Sequence, residues 1–221
     1  MTQGALLFDL DGTLLHSDHL HEEVFRMLFA ERGKPFPPGF YMDQIHGRLN
    51  VDIFRDLLPE EADPDALSRE KEARFRDMLP ENVPPMPGLG AVLDQARALG
   101  VRMAVVTNAM RLNANAMLAA IGATKYFDAI IIGEECQRGK PHPEPYLAAM
   151  EALGASPETS IAFEDSPSGL QSAHASGAFT VGVRSSLAAS ALIAAGAHAT
   201  ISDFTDPSLQ THLQRVTGAA A

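Results

Sequence analysis

Two pairs of carboxylates follow short apolar runs in this sequence, at positions suited to metal-assisted chemistry. They are Asp9 with Asp11, and Glu164 with Asp165. Carboxylates held close together repel unless a cation lies between them or one is protonated. A hard divalent ion such as Mg²⁺ favours carboxylate oxygens and engages substrate phosphates, so the four acids predict a magnesium site. Taken singly, an Asp-Gly turn and an acidic helix start explain the two pairs equally well.

A hydroxyl and an ammonium supply the complementary groups for a phosphate. Thr107-Asn108 ends another apolar run and begins a predicted helix, where a hydroxyl, backbone N–H groups and the helix N-terminus can cradle a phosphate. Lys140 lies in the loop 138–143, which holds two prolines. Alone, these residues are typical of a helix cap and a solvated lysine. Together with the carboxylates, they predict phosphoryl chemistry.

The residues with chemical potential must be positioned by a sheet. Four short apolar runs, each followed by a turn and a helical stretch, are typical of parallel strands covered on both faces. They are Ala5 to Phe8, Val101 to Val106, Ala129 to Ile132 and Ser160 to Phe163, with two further candidates at Phe179 to Val183 and Ala199 to Ile201. Such alternation predicts an α/β fold with a doubly wound, mostly parallel sheet, which binds ligands at the carboxyl ends of its strands.

Helix ends are marked by glycine and by a serine-proline start. Three predicted helices stop at a glycine, and a fourth begins at Ser166-Pro167 and runs to about Ala175. The three glycine-stopped helices are Gly88 to Leu99, Ala109 to Ile121 and Glu144 to Leu153.

Residues 16–83 interrupt the alternation of strands and helices. This interval contains three amphipathic helical stretches and no convincing strand, with Leu67 and Phe75 on one face of the third. It returns to the core through a proline-rich connector. We therefore expect a helical cap domain at 16–83, inserted into an α/β core formed by 1–15 and 84–221.

Composition narrows the class of partner. The net charge of −11, without a local run of Lys or Arg, disfavours nucleic acid and anionic membranes. The single Cys136 cannot form an internal disulfide, and no secretory leader pattern stands at the start, so we expect a cytoplasmic protein. The oligomeric state stays open, and a monomer is compatible with the sequence.

The motifs, in order, resemble a known enzyme superfamily. Asp9-Leu10-Asp11-Gly12-Thr13, Thr107, Lys140-Pro141 and Glu164-Asp165 resemble the four motifs of the haloacid dehalogenase superfamily, in the β-phosphoglucomutase-like branch with a small helical cap. The resemblance spans nearly the whole chain. It implies a Rossmann-like core and a Mg²⁺-dependent phosphatase that acts on a small phosphorylated metabolite, with a sugar phosphate as the leading class.

The resemblance also implies residue roles. Asp9 would be the nucleophile that forms a phospho-aspartyl intermediate, and Asp11 would act first as acid and then as base. Thr107 and Lys140 would bind the transferring phosphoryl group, and Asn108 is expected, like Thr107, to be a substrate-binding residue. Mg²⁺ would be held by Asp9, the Asp11 carbonyl and Asp165, with Glu164 among or beside the ligands. In the cap, the expected substrate-binding residues are His21, Gly47 and Arg48.

Three alternatives remain at this stage. A phosphomutase is the nearest, but Asn50 stands where β-phosphoglucomutase has an arginine. Asp11 argues against a dehalogenase, which needs no acid for an alkoxide leaving group. A non-catalytic sensor of a phosphorylated metabolite is a third possibility, although every motif position is chemically competent. Phosphoglycolate and nucleotide monophosphates stay open as substrates.

Overall fold

A six-stranded, all-parallel sheet forms the centre of the protein. The computed structural model describes residues 3–46 and 48–217. The strand order is β3-β2-β1-β4-β5-β6, so the chain first winds outward on one side of β1 and then on the other. The strands are β1 (Gln3–Phe8), β2 (Arg102–Thr107), β3 (Ala129–Ile132), β4 (Ala155–Glu164), β5 (Phe179–Val183) and β6 (Ala199–Ile201). The predicted α/β class with a doubly wound parallel sheet is confirmed.

Helices connect the strands and fill the interval after β1. Among the described residues, three helices follow β1 directly, together with a short π-helical turn at Tyr41–Ile45, and six others alternate with the later strands. The helices are α1 (Asp18–Glu31), α2 (Asn50–Leu57), α3 (Pro64–Met78), α4 (Leu89–Ala98), α5 (Arg111–Ala120), α6 (Glu144–Leu153), α7 (Pro167–Ala175), α8 (Ala189–Ala194) and α9 (Leu209–Thr217).

The sheet buries both of its faces because successive strand residues point to opposite sides. Leu7 of β1 belongs to a core cluster with Tyr146 and Met150 of α6. Its neighbour Leu6 borders a small apolar cavity lined by residues of α4 and α9, including Val92 and Leu213. All these side chains except that of Leu213 have at most 3% of their surface exposed. The continuous apolar runs of the sequence are therefore explained by two-sided burial.

The chain divides into two compact units. The smaller unit, Ser17–Pro80, holds α1, α2 and α3, and the larger unit holds the sheet and the remaining helices. Within the smaller unit, Val24, Phe25, Phe54 and Phe75 are buried, which gives the three amphipathic helices a core of their own. None of the helices in the described part of the chain is long and apolar enough to span a membrane.

Local signals set the start of α7, which follows the second carboxylate pair. The Ser166 hydroxyl accepts a hydrogen bond from the Gly169 N–H at 3.1 Å, and Pro167 occupies the first turn. A serine cap satisfies an orphan donor, and proline suits this position because it lacks an N–H. The predicted helix start is confirmed, and it fixes the point at which the chain leaves β4.

Candidate active site

Lys140 connects the carboxyl ends of three neighbouring strands. Its ammonium Nζ donates to Asp9 Oδ1 at 2.7 Å, to Glu164 Oε1 at 2.6 Å and to the Val106 carbonyl at 2.7 Å. Asp9 directly follows β1, Glu164 ends β4 and Val106 lies in β2. Only 3% of the lysine side chain is exposed, so these charge-assisted bonds are made away from water. The ends of these three strands therefore converge on one ammonium.

The Glu164 carboxylate is held by several donors besides Lys140. Tyr146 donates its hydroxyl to Oε1 at 3.1 Å. The other oxygen, Oε2, accepts from the backbone N–H of Asp165 and from both the N–H and the hydroxyl of Ser166, at 3.1 to 3.2 Å. The side chain is fully buried. These donors thus fix the orientation of Glu164, and its bond to Lys140 in turn restrains the ammonium.

Three buried carboxylates are arranged to hold a metal ion. Asp9, Glu164 and Asp165 each offer an oxygen, and these oxygens all lie within 4.8 Å of one another. Gly12 lets the loop after β1 approach them: its φ is +73°, and a Cβ there would lie 2.1 Å from Asp165 Oδ2. An all-oxygen, anionic donor set suits a hard divalent cation. The donor set therefore fits the divalent metal that the sequence predicted.

Charge is out of balance in this cluster. Burial, together with the neighbouring Glu164, raises the pKa of Asp9 to about 7, although Lys140 opposes the rise. Burial disfavours the charged form of Lys140, yet Asp9 and Glu164 outweigh it and raise the pKa of the ammonium. A divalent cation among the carboxylates would lower the pKa of Asp9, because it stabilises the ionised form. Added positive charge would therefore increase the fraction of Asp9 that is ionised and able to act as a nucleophile.

Asp11, Thr107 and Asn108 lie around this centre. Asp11 is half-buried and close enough to Asp9 to raise the pKa of that carboxyl slightly. Thr107, at the end of β2, is 1% exposed, and its hydroxyl accepts the Ala109 N–H at 2.9 Å. Asn108 contacts the main chain of Lys140 through its side chain. All the core residues expected from the motifs therefore lie at or next to the carboxyl ends of the central strands.

The substrate-binding residues expected in the cap lie within the smaller unit. His21 Nδ1 is 2.7 Å from Lys71 Nζ, and the His21 ring stacks on Phe75 with centroids 4.0 Å apart. Arg48 pairs with Asp56 and donates to the Gln44 carbonyl at 3.0 Å. Gly47 lies outside the described residues.

The sequence patterns did not indicate two residues that contact the site, Ser185 and Tyr146. Ser185 donates to Asp165 Oδ2 at 3.1 Å, and it stands just after β5, so the rule that polar residues after strand ends form the site would have found it. Tyr146 lies on α6 among apolar residues, and its sequence context carries no comparable signal.

Comparisons with known proteins agree with this geometry. The profile of the haloacid dehalogenase-like hydrolases matches residues 6–183. The chain is 32% identical over 184 residues to a phosphorylated carbohydrates phosphatase of Thermotoga maritima, covering 78% of this chain and 81% of the relative. It is also 32% identical over 185 residues to the fructose-1-phosphate phosphatase YqaB of Escherichia coli, covering 81% of this chain and 96% of the relative.

A solved structure extends the similarity to the whole fold. It is a HAD hydrolase, family IA, variant 3, from Entamoeba histolytica, with a TM-score of 0.86 and 25% identity, covering 96% of this chain and 99% of the other. The family profile spans both carboxylate pairs, Thr107 and Lys140. The chain therefore belongs to the haloacid dehalogenase-like hydrolase family and is a phosphoric monoester hydrolase.

Proposed function

We propose that the protein is a Mg²⁺-dependent phosphatase that removes the phosphoryl group of a small sugar phosphate through a phospho-aspartyl intermediate on Asp9. One observation carries the proposal: the Asp9 carboxylate is buried, contacts the Lys140 ammonium, and belongs to an all-carboxylate cluster suited to a divalent cation. A fixed ammonium and a cation beside a carboxylate stabilise the charge that develops during phosphoryl transfer.

The reaction proceeds by two displacements at phosphorus. Asp9 attacks the phosphorus, the ester P–O bond breaks, and Asp11 donates a proton to the departing sugar oxygen. Asp11, now ionised, takes a proton from water, and the resulting hydroxide attacks the phospho-aspartate. The P–O bond to Asp9 breaks, and inorganic phosphate and the Asp9 carboxylate are released. Lys140 and the Thr107 hydroxyl bind the phosphoryl oxygens throughout.

The cation has a supporting place in this scheme. Asp9, Asp165 and the Asp11 carbonyl would hold Mg²⁺, with Glu164 among or beside the ligands. When bound, the ion supplies positive charge that neutralises the phosphoryl oxygens and the carboxylates. Hydrogen bonds within the protein hold the carboxylates in position, since Ser185 orients Asp165 and Tyr146 orients Glu164.

The helical insertion provides the substrate-reading part of the proposal. We assign residues 16–83 as the cap and 1–15 with 84–221 as the catalytic core. In the cap, His21, Gly47 and Arg48 are the proposed substrate-binding residues. A cap that closes over a phospho-aspartate keeps competing water out until the leaving group has departed. The named relatives act on phosphorylated carbohydrates and on fructose 1-phosphate, which supports a sugar phosphate as the substrate.

The test is phosphate release from a panel of phosphate monoesters. The panel contains hexose and pentose phosphates, phosphoglycolate and nucleotide monophosphates, each with MgCl₂ or with EDTA. We expect sugar phosphates to be hydrolysed with MgCl₂ and release to stop in EDTA. Asp9→Asn should lower kcat by at least ~10³-fold, since the nucleophile is lost. Activity that survives in Asp9→Asn would exclude the phospho-aspartyl mechanism.

A phosphomutase is the second candidate, and Asn50 separates the two reactions. Its Nδ2 donates to Glu72 at 2.6 Å. An amide tied to a carboxylate lacks the positive charge with which an arginine would hold a second phosphoryl group through the transfer. Incubation with a sugar 1-phosphate distinguishes the outcomes, because a mutase accumulates the 6-phosphate isomer whereas a phosphatase releases free sugar.

A further inference from the structure

We propose that Asn108 is a positioning residue, whose side-chain amide fixes the main chain of Lys140 and so sets the place of the ammonium. The amide makes contacts in both directions with one residue. The Lys140 N–H donates to Asn108 Oδ1 at 3.3 Å, and Asn108 Nδ2 donates to the Lys140 carbonyl at 3.4 Å. Each bond is long, but the pair restrains both the position and the rotation of the lysine backbone.

Two glycines make room for this amide. A Cβ on Gly133, just after β3, would lie 2.1 Å from Asn108 Oδ1, and the three atoms nearest to it all belong to Asn108. A Cβ on Gly139 would lie 3.2 Å from the same oxygen. Gly133 does not have a positive φ, so the backbone does not require glycine there. The missing side chains are therefore explained by the space that Asn108 occupies.

The Asn108 side chain thus connects three segments. It extends from the end of β2, packs against the turn after β3, and hydrogen-bonds to the loop that carries Lys140. At the far end of the lysine, Nζ is fixed by Asp9, Glu164 and the Val106 carbonyl. Clamping the main chain as well removes the freedom that would let the loop carry the ammonium away. A displacement of about 1 Å in a charged group at a reacting centre can cost ~10²-fold in rate.

This placement changes what the Asn108 side chain does in the reaction. The oxygen and the nitrogen of the Asn108 amide both contact the Lys140 main chain. The side chain acts through Lys140, and its loss should lower kcat while KM stays nearly constant. The inference rests on the proposed function only for the role of Lys140 in phosphoryl transfer, since the clamp itself is a property of the folded chain.

Kinetics of four variants test the inference, with a sugar phosphate and MgCl₂. Asn108→Ala and Gly133→Ala should each lower kcat at least ~10-fold, with KM within about threefold of the parent value. The combined variant should be no worse than Asn108→Ala, because the added methyl group then enters the space left by the amide. Asn115→Ala, at an exposed position of α5, is the matched control and should stay within about twofold.

Amide hydrogen exchange at Lys140, measured by NMR, tests the clamp without any turnover. The Lys140 N–H should exchange at least ~10-fold faster in Asn108→Ala than in Asn115→Ala. Unchanged exchange would overturn the inference, as would a raised KM with unchanged kcat, which would make Asn108 a direct substrate ligand. If no phosphate ester is hydrolysed, the proposed function fails, but faster exchange in Asn108→Ala would still support the clamp.

Discussion

The protein buries two lysine ammonium groups, and their surroundings differ in charge. Lys140 in the core contacts Asp9 and Glu164, with Asp165 in the same cluster. Lys71 in the helical unit pairs with the adjacent Glu72 at 2.8 Å. Each lysine side chain is 3% exposed. The ammonium in the core thus contacts two of three clustered carboxylates, whereas the ammonium in the helical unit is paired with its sequence neighbour.

The carboxylates respond in opposite directions. Burial and Glu164 raise the pKa of Asp9 to about 7 in spite of Lys140. For Glu72, burial is outweighed by Lys71 and His21, and its pKa lies below the usual value. A matched ion pair stabilises its own charges, but a surplus of buried carboxylates needs a further cation. Burial of charge is thus common to both units, and the imbalance distinguishes the site that does chemistry.

The largest effect should follow from removing the Lys140 ammonium, which contacts the surplus carboxylates of the core. Lys140→Met is expected to lower kcat by ~10²- to 10³-fold with a sugar phosphate and MgCl₂, because the developing charge on the phosphoryl group loses a fixed donor. Lys34→Met, in an exposed pair with Glu60, is the control and should stay within about twofold. A Lys140→Met enzyme with near-parental kcat would contradict this prediction. It would show that Lys140 has only a structural role, which is the role that charge balance with Glu72 indicates for Lys71.

Magnesium should stabilise the core through its excess of carboxylates. At a concentration of Mg²⁺ about 100 times its Kd, the unfolding midpoint should rise by ~5–10 °C over that in EDTA. Asp165→Asn should abolish this rise, whereas Glu72→Gln should preserve it, because Glu72 lies in the balanced pair. Differential scanning fluorimetry measures both. An equal rise in Asp165→Asn and the parent would place the ion elsewhere.

The sequence predicted the sheet well where burial dominates. Residues of a parallel strand covered on both faces are continuously apolar, so the bounds of β3, β5 and β6 agree with the predicted runs. By contrast, β4 begins at Ala155, where a polar stretch contains Pro157 and has no apolar pattern. It enters the sheet because Ala155 pairs with Gln3 of β1, which is a tertiary contact that the sequence does not encode locally. Helices α8 and α9 were likewise not predicted.

The location of the site was easier to predict from the sequence than the contacts within it. Strand ends converge by topology, which brought Asp9, Thr107 and Glu164 together from distant positions. The donors to Glu164 depend on side-chain packing and were not foreseen. One signal was overlooked: Lys71 lies four residues after Leu67 and four before Phe75, so it stands in the apolar stripe of α3. A charge at such a position indicates a buried pair rather than a solvated surface.

A third prediction tests the charge surplus by removing part of it. A pKa raised in the folded state means that the native protein loses stability as pH rises from about 4 to about 7. Asp9→Asn removes this cost, so in EDTA at pH 8 its unfolding midpoint should exceed that of the parent by ~3 °C or more. The difference should shrink toward pH 4 and in MgCl₂. A destabilised Asp9→Asn at pH 8 in EDTA would mean that Lys140 already balances the cluster.

The smallest effect should come from the pH dependence of the balanced pair. A lowered pKa means that Glu72 contributes stability above its ordinary pKa of 4.5, and that this contribution is lost as pH falls below that value. Glu72→Gln should therefore lower the unfolding midpoint at pH 7, and its deficit relative to the parent should shrink between pH 5 and pH 3. Glu151→Gln, at an exposed position of α6, should show no such trend. Thermal unfolding followed by circular dichroism in EDTA measures the deficit for both variants. A deficit that grows on acidification would mean that the folded protein disfavours the ionised form of Glu72, as it does for Asp9. The contrast between the two lysine networks would then be lost.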